Sequence, residues 1–319
     1  MRVAAALIAG LWCNDKFMHL LHLATLLRWL LCAALALGAG CLAAEPVQVT
    51  DDGGSAVRLA QPARRIVSLA PNLTEMVFAL GAGAQLVGVS RHSDFPEAAA
   101  RVPIVGDAHA LNLEAISALK PDLVLVWQSG TPQRQRDALK RLGLALFESE
   151  IRSVEGIAGT LTRLGTLTGY TVRADLAAQS MLQQWAKLHR QHQGAAPVRV
   201  FYQVWDAPLM TFNGQHLVSQ ALRACGAVGG FDQLAALTPT VGREAVLAFN
   251  PQLLLASESA PDLDALAAWR GFPQLAAVQL GQLVRIDDAA LTRMSPRFVP
   301  AASALCKRID ATRRLLLKK

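Results

Sequence analysis

Charge is scarce in this chain. Only 17% of the 319 residues are charged, against 52% hydrophobic. That balance excludes an intrinsically disordered protein and allows a sizeable core. Aromatic residues are few, at 6%. Beyond the N-terminal segment no long apolar run exists, so nothing there reads as a membrane span. Five cysteines are too sparse for a disulfide scaffold. There is no Gly-x-Ser-x-Gly, no His-Glu-x-x-His and no Walker-type loop, so no catalytic constellation emerges. The glycine-rich stretch 226–230 follows a helix, the wrong context for a phosphate cradle. The net charge of +7 is dispersed, without a basic-aromatic stripe, which argues against nucleic acid as a partner.

What is present begins with an export signal. Residues 29–37 form an uncharged apolar block behind Arg28, followed by the small residues 38–44 and then Glu45-Pro46. Residues 1–44 read as a secretory signal peptide. The block is shorter than the ~20 apolar residues of a spanning helix; an uncleaved N-terminal anchor is the alternative. Met18 is a second candidate start, because residues 1–17 carry Asp15 and Lys16. Lipidation at Cys41 is disfavoured by Gly38, which stands where a lipoprotein signal usually carries Leu. Cleavage leaves about 275 of the 319 residues, a charge of +5, and Cys225 and Cys306 as the remaining cysteines. An even pair in an exported chain suggests one disulfide; two buried free thiols are the alternative. The mature chain is expected to be a monomer with no stable membrane insertion.

The mature chain divides into four parts. Residues 45–62 alternate apolar and polar around Asp51-Asp52-Gly53-Gly54, the pattern of a hairpin. Residues 63–152 alternate strands (65–69, 86–89, 102–105, 123–127 and 144–147) with helices, which predicts a parallel α/β lobe. The helix at 71–80 carries a capping-box pattern, with Asn72 as the cap and Glu75 as its partner. Residues 153–194 are strongly helical, interrupted around 165–170, with an apolar series at Leu176, Met181, Leu182, Trp185 and Leu188. Residues 195–319 resume the strand–helix alternation as a second lobe.

One stretch recurs. Glu114-Ala-Ile-Ser-Ala-Leu-Lys-Pro-Asp-Leu-Val-Leu-Val returns 130 residues later as Glu244-Ala-Val-Leu-Ala-Phe-Asn-Pro-Gln-Leu-Leu-Leu-Ala. Each copy places a Glu at a helix start, which the helix dipole alone would favour. The matched pair predicts two pseudo-symmetric lobes that each present one carboxylate. Two lobes joined by a helix enclose a cleft, where ligand sites concentrate.

The candidate chemistry lies in loops. His92 and His109 follow strands of the first lobe, with Asp94 and Asp107 nearby; a metal site and solvent-facing loops are the competing readings. His189 and His192 read as surface, Trp185 as core, and Trp269 as packing or function equally. Trp127 and Trp205 end strands of the two lobes, where they could wall a large flat ligand or belong to the core.

Taken together, these residues resemble the periplasmic cobalamin (vitamin B12)-binding proteins of ABC importers. Those belong to the helical-backbone metal-receptor, or class III substrate-binding protein, family, which also includes iron-siderophore and haem receptors. The resemblance runs over about residues 65–307. It rests on Arg65-Ile-Val-Ser-Leu-Ala-Pro-Asn-Leu-Thr-Glu75, Val87-Gly-Val-Ser-Arg-His-Ser-Asp-Phe-Pro96, Asn112-Leu-Glu-Ala-Ile, Leu119-Lys-Pro-Asp-Leu-Val124, Arg243-Glu244 and Ser295-Pro-Arg297.

The resemblance implies an α/β fold of two Rossmann-like lobes, parallel sheets flanked by helices, joined by one long backbone helix with the ligand cleft between them. It implies a non-catalytic periplasmic protein, without a catalytic cofactor, that captures cobalamin or a related cobalt-containing corrinoid. The partner would be a dimeric ABC permease with its ATPase subunits, docked through Glu114 and Glu244. An inter-helix disulfide would join Cys225 and Cys306. The ligand contacts would be His92, His109, Trp127, Trp205, Asn72, Leu291 and Arg293. His92 stands where the family has Tyr, His109 in a stretch where it has an aromatic, and Trp205 one position from an expected aromatic. Aromatics expected near Thr238 and near residues 289–291 are missing. No metal site is expected from the protein alone, although His92 could coordinate the metal of a bound corrinoid. An iron-siderophore or haem protein of the same fold is the first alternative. An exported metal-dependent enzyme using His92, His109 and Asp94 is the second.

Overall fold

Val47–Thr50 (β1) and Ala56–Leu59 (β2) pair antiparallel, from Val47 opposite Leu59 to Thr50 opposite Ala56. They lie in the computed structural model of the chain, which describes residues 45–257 and 265–318. The export signal read in residues 1–44, with Met18 and Cys41, lies outside the described residues. Among the described residues no helix is long and apolar enough to cross a membrane. The hairpin is tied to the first lobe. Its turn residue Asp51 is buried and accepts the Glu148 N–H, while Asp52 accepts the Glu150 N–H and pairs with Arg163 at 2.7 Å.

The first lobe runs β3 (Ile66–Ser68), α1 (Pro71–Ala79), β4 (Leu86–Val89), α2 (Leu113–Ala118), β5 (Leu123–Trp127), α3 (Gln133–Arg141) and β6 (Leu146–Ser149). Its sheet has the order β4-β3-β5-β6, all parallel. Residues 102–105, expected as a strand, make one isolated bridge from Ile104 to Val89. Pro103 has no N–H to donate, so a longer ladder cannot form there.

The linking region is two helices. α4 (Val154–Thr168) starts under Ser153, whose side chain accepts the Gly156 N–H, and ends at Gly169 with φ 81°. That left-handed turn favours glycine. α5 (Thr171–His192) follows with 22 residues, about 33 Å of rod at 1.5 Å per residue. α5 is the helix that leads into the second lobe, whereas α4 packs on α5 and also contacts β1 of the hairpin and α1 of the first lobe. The buried stripe of α5 is Ala174, Ala178, Met181, Trp185 and Leu188. Leu176, read as part of that stripe, is 64% exposed.

The second lobe runs β7 (Val198–Gln203), the short hairpin β8 (Trp205–Asp206) and β9 (Leu209–Met210), α6 (Leu217–Ala224), β10 (Ala227–Gly229), α7 (Arg243–Phe249), β11 (Leu253–Ser257), α8 (Ala276–Gln279), β12 (Leu283–Ile286), α9 (Ala289–Thr292) and α10 (Phe298–Leu316). Its sheet order is β10-β7-β11-β12, again all parallel. In both lobes the first strand lies between the second and third, and the fourth is outermost. The α/β architecture is thus two parallel sheets of one topology, flanked by helices.

The sequence repeat maps onto matching places. One copy is α2 into β5, the other α7 into β11. Lys120 and Asn250 both turn left-handed, at φ 46° and 49°, just before Pro121 and Pro251. An αL residue closes a helix and a following Pro prevents its continuation. Each turn is clamped by an Arg before the lobe's first strand or within it. Arg65 donates to Leu119 O at 2.8 and 2.7 Å, and Arg199 Nε donates to Asn250 O at 2.9 Å. In return, Asp122 accepts the Arg65 N–H and Gln252 accepts the Arg199 N–H.

Cys225, at the end of α6, is bonded to Cys306 in α10 across a separation of 81 residues.

Candidate functional site

Parallel strands carry their loops at the carboxyl end, and ligands bind outside those ends. In the first lobe, the exits of β3, β4 and β5 surround a cavity of about 250 Å³ lined by Pro71, Ser90, His92, His109 and Trp127 among others. A second cavity is shared by the lobes. The first lobe gives it Trp127, Ile151 and Arg152, and the second gives it His216, Leu217 and Leu291. Trp127 lines both. Its indole lies against Gly130, where a Cβ would come within 2.0 Å of the ring. A side chain at 130 would displace the ring, so the Trp127–Gly130 turn is built around a flat aromatic wall.

The loop geometry around the first cavity is polar and locally determined. Asp107 accepts the N–H groups of His109 and Ala110 at 2.9 and 3.0 Å and pairs with Arg91 at 3.5 Å. Those contacts, the Ala110 and His109 amides above all, hold its carboxyl below the usual range. His92 sits at φ 67°, a left-handed conformation uncommon outside glycine.

The two lobes are joined beside this loop by an ion cluster. Glu75, 4% exposed, receives Arg297 at 2.9 and 2.5 Å and Arg293 at 3.1 Å. Arg293 also reaches Asp94 at 2.6 Å and the His92 carbonyl at 3.4 Å. The Arg293 hydrogen bond holds the Asp94 carboxyl below its ordinary value, so it stays ionised. The Arg297 guanidinium lies 3.7 Å over the Phe95 ring. A capping box at Asn72 and Glu75 does not form. Pro71 takes the first helical turn, the cap position falls on Ala70 without a side-chain bond, and Glu75 is committed to the other lobe.

The loop bearing Leu291 and Arg293 is anchored from within the second lobe. Asp288 accepts from Tyr202 at 2.5 Å and from Ser257 at 2.7 Å. Burial, then the neighbouring Asp288, pushes the Tyr202 hydroxyl well above its usual pKa.

Of the residues singled out in the sequence, His92, His109 and Trp127 lie on one cavity, and Leu291 joins Trp127 on the other. Arg293 belongs to the inter-lobe ion cluster. Asn72 is buried within α1 and lines neither cavity. Trp205 is 60% exposed on β8, its Nε1–H donating to Ala207 O. It lines neither cavity. Glu114 and Glu244 are exposed in the first turns of α2 and α7. Among the described residues no group of three His, Cys, Asp or Glu could hold a metal ion.

Trp269 is buried, with its indole N–H on Gln203. His192, read as surface, has a side chain only 11% exposed and contacts Asp310 at 3.1 Å. Sequence reasoning missed the tie of Glu75 to Arg297 and the helix cap formed by His216. The Ser295-Pro-Arg297 motif was visible, but its partner lies 222 residues away. His216 occupies a cap position where Ser, Thr, Asp or Asn would have signalled a helix start.

Comparison with known proteins gives one consistent picture. A family model described as periplasmic binding protein matches residues 66–290. The chain is 34% identical over 250 residues to the vitamin B12-binding protein of Yersinia pestis (strain Pestoides F), covering 78% of this chain and 88% of that one. Among solved structures, the periplasmic vitamin B12 binding protein BtuF of Vibrio cholerae matches with a TM-score of 0.71 and 32% identity, over 79% of this chain and 98% of that one. The periplasmic heme-binding protein RhuT from Roseiflexus sp. RS-1 matches with a TM-score of 0.70 and 23% identity, over 79% and 99%, a likeness of fold.

Proposed function

The chain belongs to the periplasmic binding protein family, and from that premise we propose that it captures cobalamin or a related corrinoid between its lobes and delivers it to an inner-membrane ABC importer. It is a binding protein and not an enzyme. The observation that carries the corrinoid reading is the charge balance of the cleft. Each arginine beside the cavities has an acidic partner: Arg91 has Asp107, Arg152 has Glu150 at 3.0 Å, and Arg293 and Arg297 share Glu75. A ring rimmed by neutral amides fits such a site. Haem carboxylates or an anionic siderophore would need unpaired cations, since burying a charge without a partner is costly. The relatives that bind vitamin B12 support the same choice over the haem alternative.

In this reading Trp127 and Leu291 are apolar walls of the cleft, and His92 and His109 face the ligand from the first lobe. His92 reaches the metal of the corrinoid if the ligand seats in the first-lobe cavity. Trp205, on the exposed β8, contributes little. Glu114 and Glu244 mark the same topological position in each lobe and dock onto the two halves of a dimeric permease with its ATPase subunits. Export by the N-terminal signal places the protein in the periplasm.

Calorimetry with cyanocobalamin, cobinamide, haem and a ferric siderophore tests the ligand. The expected result is binding of the corrinoids at micromolar concentration or below, about −8 kcal/mol or better. No corrinoid binding in that range contradicts the proposal. A Glu114→Ala plus Glu244→Ala protein is expected to bind cyanocobalamin as the parent does, with stability changed by less than about 0.5 kcal/mol, and to fail in uptake. Normal uptake would remove the docking role.

A further inference from the structure

His216 has a geometry that no role above explains. It stands immediately before α6, and its ring stacks on Phe212 with centroids 3.6 Å apart and planes 5° from parallel. Its Nδ1 accepts the Val218 N–H at 3.2 Å, one of the unpaired donors of the first helical turn. A neutral imidazole whose Nδ1 is an acceptor carries its proton on Nε2. Burial lowers the pKa of the ring to about 4, so it is neutral near pH 7. The cap and the stack therefore prescribe both tautomer and orientation. What remains is one neutral N–H donor on a ring that lines the cavity shared by the lobes, together with Trp127, Leu217 and Leu291. That nitrogen has no free lone pair and cannot coordinate a metal. The charged groups on the same cavity, Glu150 and Arg152, are paired with each other.

We infer that His216 donates its Nε2–H to an amide carbonyl on the rim of the bound corrin ring, and so selects amide-rimmed rings over carboxylate-rimmed ones. The inference rests on the corrinoid reading above. An amide oxygen is satisfied by a neutral donor. A carboxylate desolvated beside the same donor would keep an uncompensated charge in an apolar cavity. His216 thus supplies a second-lobe contact to a site whose polar groups otherwise come mainly from the first lobe.

The test is a His216→Ser protein, since Ser preserves the cap but is too short to offer the same donor. The expected result is a cyanocobalamin Kd raised about tenfold, the size of one lost hydrogen bond, with haem binding no weaker than in the parent. Independently, nitrogen-15 NMR of histidine-labelled parent protein is expected to show the His216 Nε2–H tautomer, and its Nε2 resonance should move when cyanocobalamin is added. If the parent binds cyanocobalamin, His216→Ser binds it within twofold and the resonance stays in place, the inference is overturned while the corrinoid reading stands. If the parent binds no cyanocobalamin, both fall.

Discussion

In the first lobe the buried polar group Glu148, on β6, gathers Lys140 at 2.7 Å and Arg136 at 3.1 Å, and the N-terminal hairpin is fastened to the same strand through Asp51. In the second lobe Phe201 meets Phe231 and Trp269 at 5.6 and 5.9 Å, and a disulfide ties α6 to α10. The strand order and the clamped helix–strand turn are the same in both. Topology is thus carried by backbone pattern and turn chemistry, while the interior that stabilises it is free to differ. The division continues into the cleft. The first lobe offers His92, His109 and Trp127, and the second offers Leu217, Leu291 and the neutral His216.

If the lobes differ in this way, they should fail separately. The largest effect is expected from Cys225→Ser plus Cys306→Ser. Opening a loop with a separation of 81 residues removes about 4–5 kcal/mol by the chain-entropy estimate. Denaturant midpoints would measure the loss, and hydrogen exchange should rise in α6 and α10 but not in β3–β6. Uniform loosening of both lobes would show that they do not fail separately.

Next is Glu75→Gln, which leaves Arg293 and Arg297 without their shared carboxylate. Removing one partner of a buried cluster costs about 3–5 kcal/mol, with the low end expected because Arg293 keeps Asp94. A change below about 1 kcal/mol would mean that the lobes are held together by other contacts.

A smaller effect is the pH dependence set by His216. Its pKa is about 4 folded and about 6.5 unfolded, so the unfolded chain binds the extra proton between those values. Stability is therefore expected to fall as pH drops from 6.5 to 4, by up to about 3 kcal/mol. His216→Ser should flatten that part of the profile. An unchanged slope would place the titration elsewhere.

Much of this architecture was legible because it is local. The strands Leu86–Val89 and Leu123–Trp127 have the boundaries read from the sequence. The repeat marked equivalent turns before any pairing was known, since Pro121 and Pro251 follow the left-handed residues that close α2 and α7. What escaped was set by distant partners. Glu75 looked like half of a capping box until Arg297, 222 residues on, claimed it. His192 looked exposed until Asp310, 118 residues away, met it. Leu176 keeps helical spacing yet faces solvent, because spacing describes one helix and not what packs on it. His216 carries no sequence signal at all, since its character comes from a stack and a cap that exist only after folding.

In the proposed function a corrinoid is clasped between the lobes, touching both. Hydrogen exchange with and without cyanocobalamin tests it most directly. Protection on binding is expected at the Trp127–Gly130 turn of the first lobe and, in the same experiment, at residues 215–218 of the second. Protection confined to one lobe, or none at saturating cyanocobalamin, would contradict it.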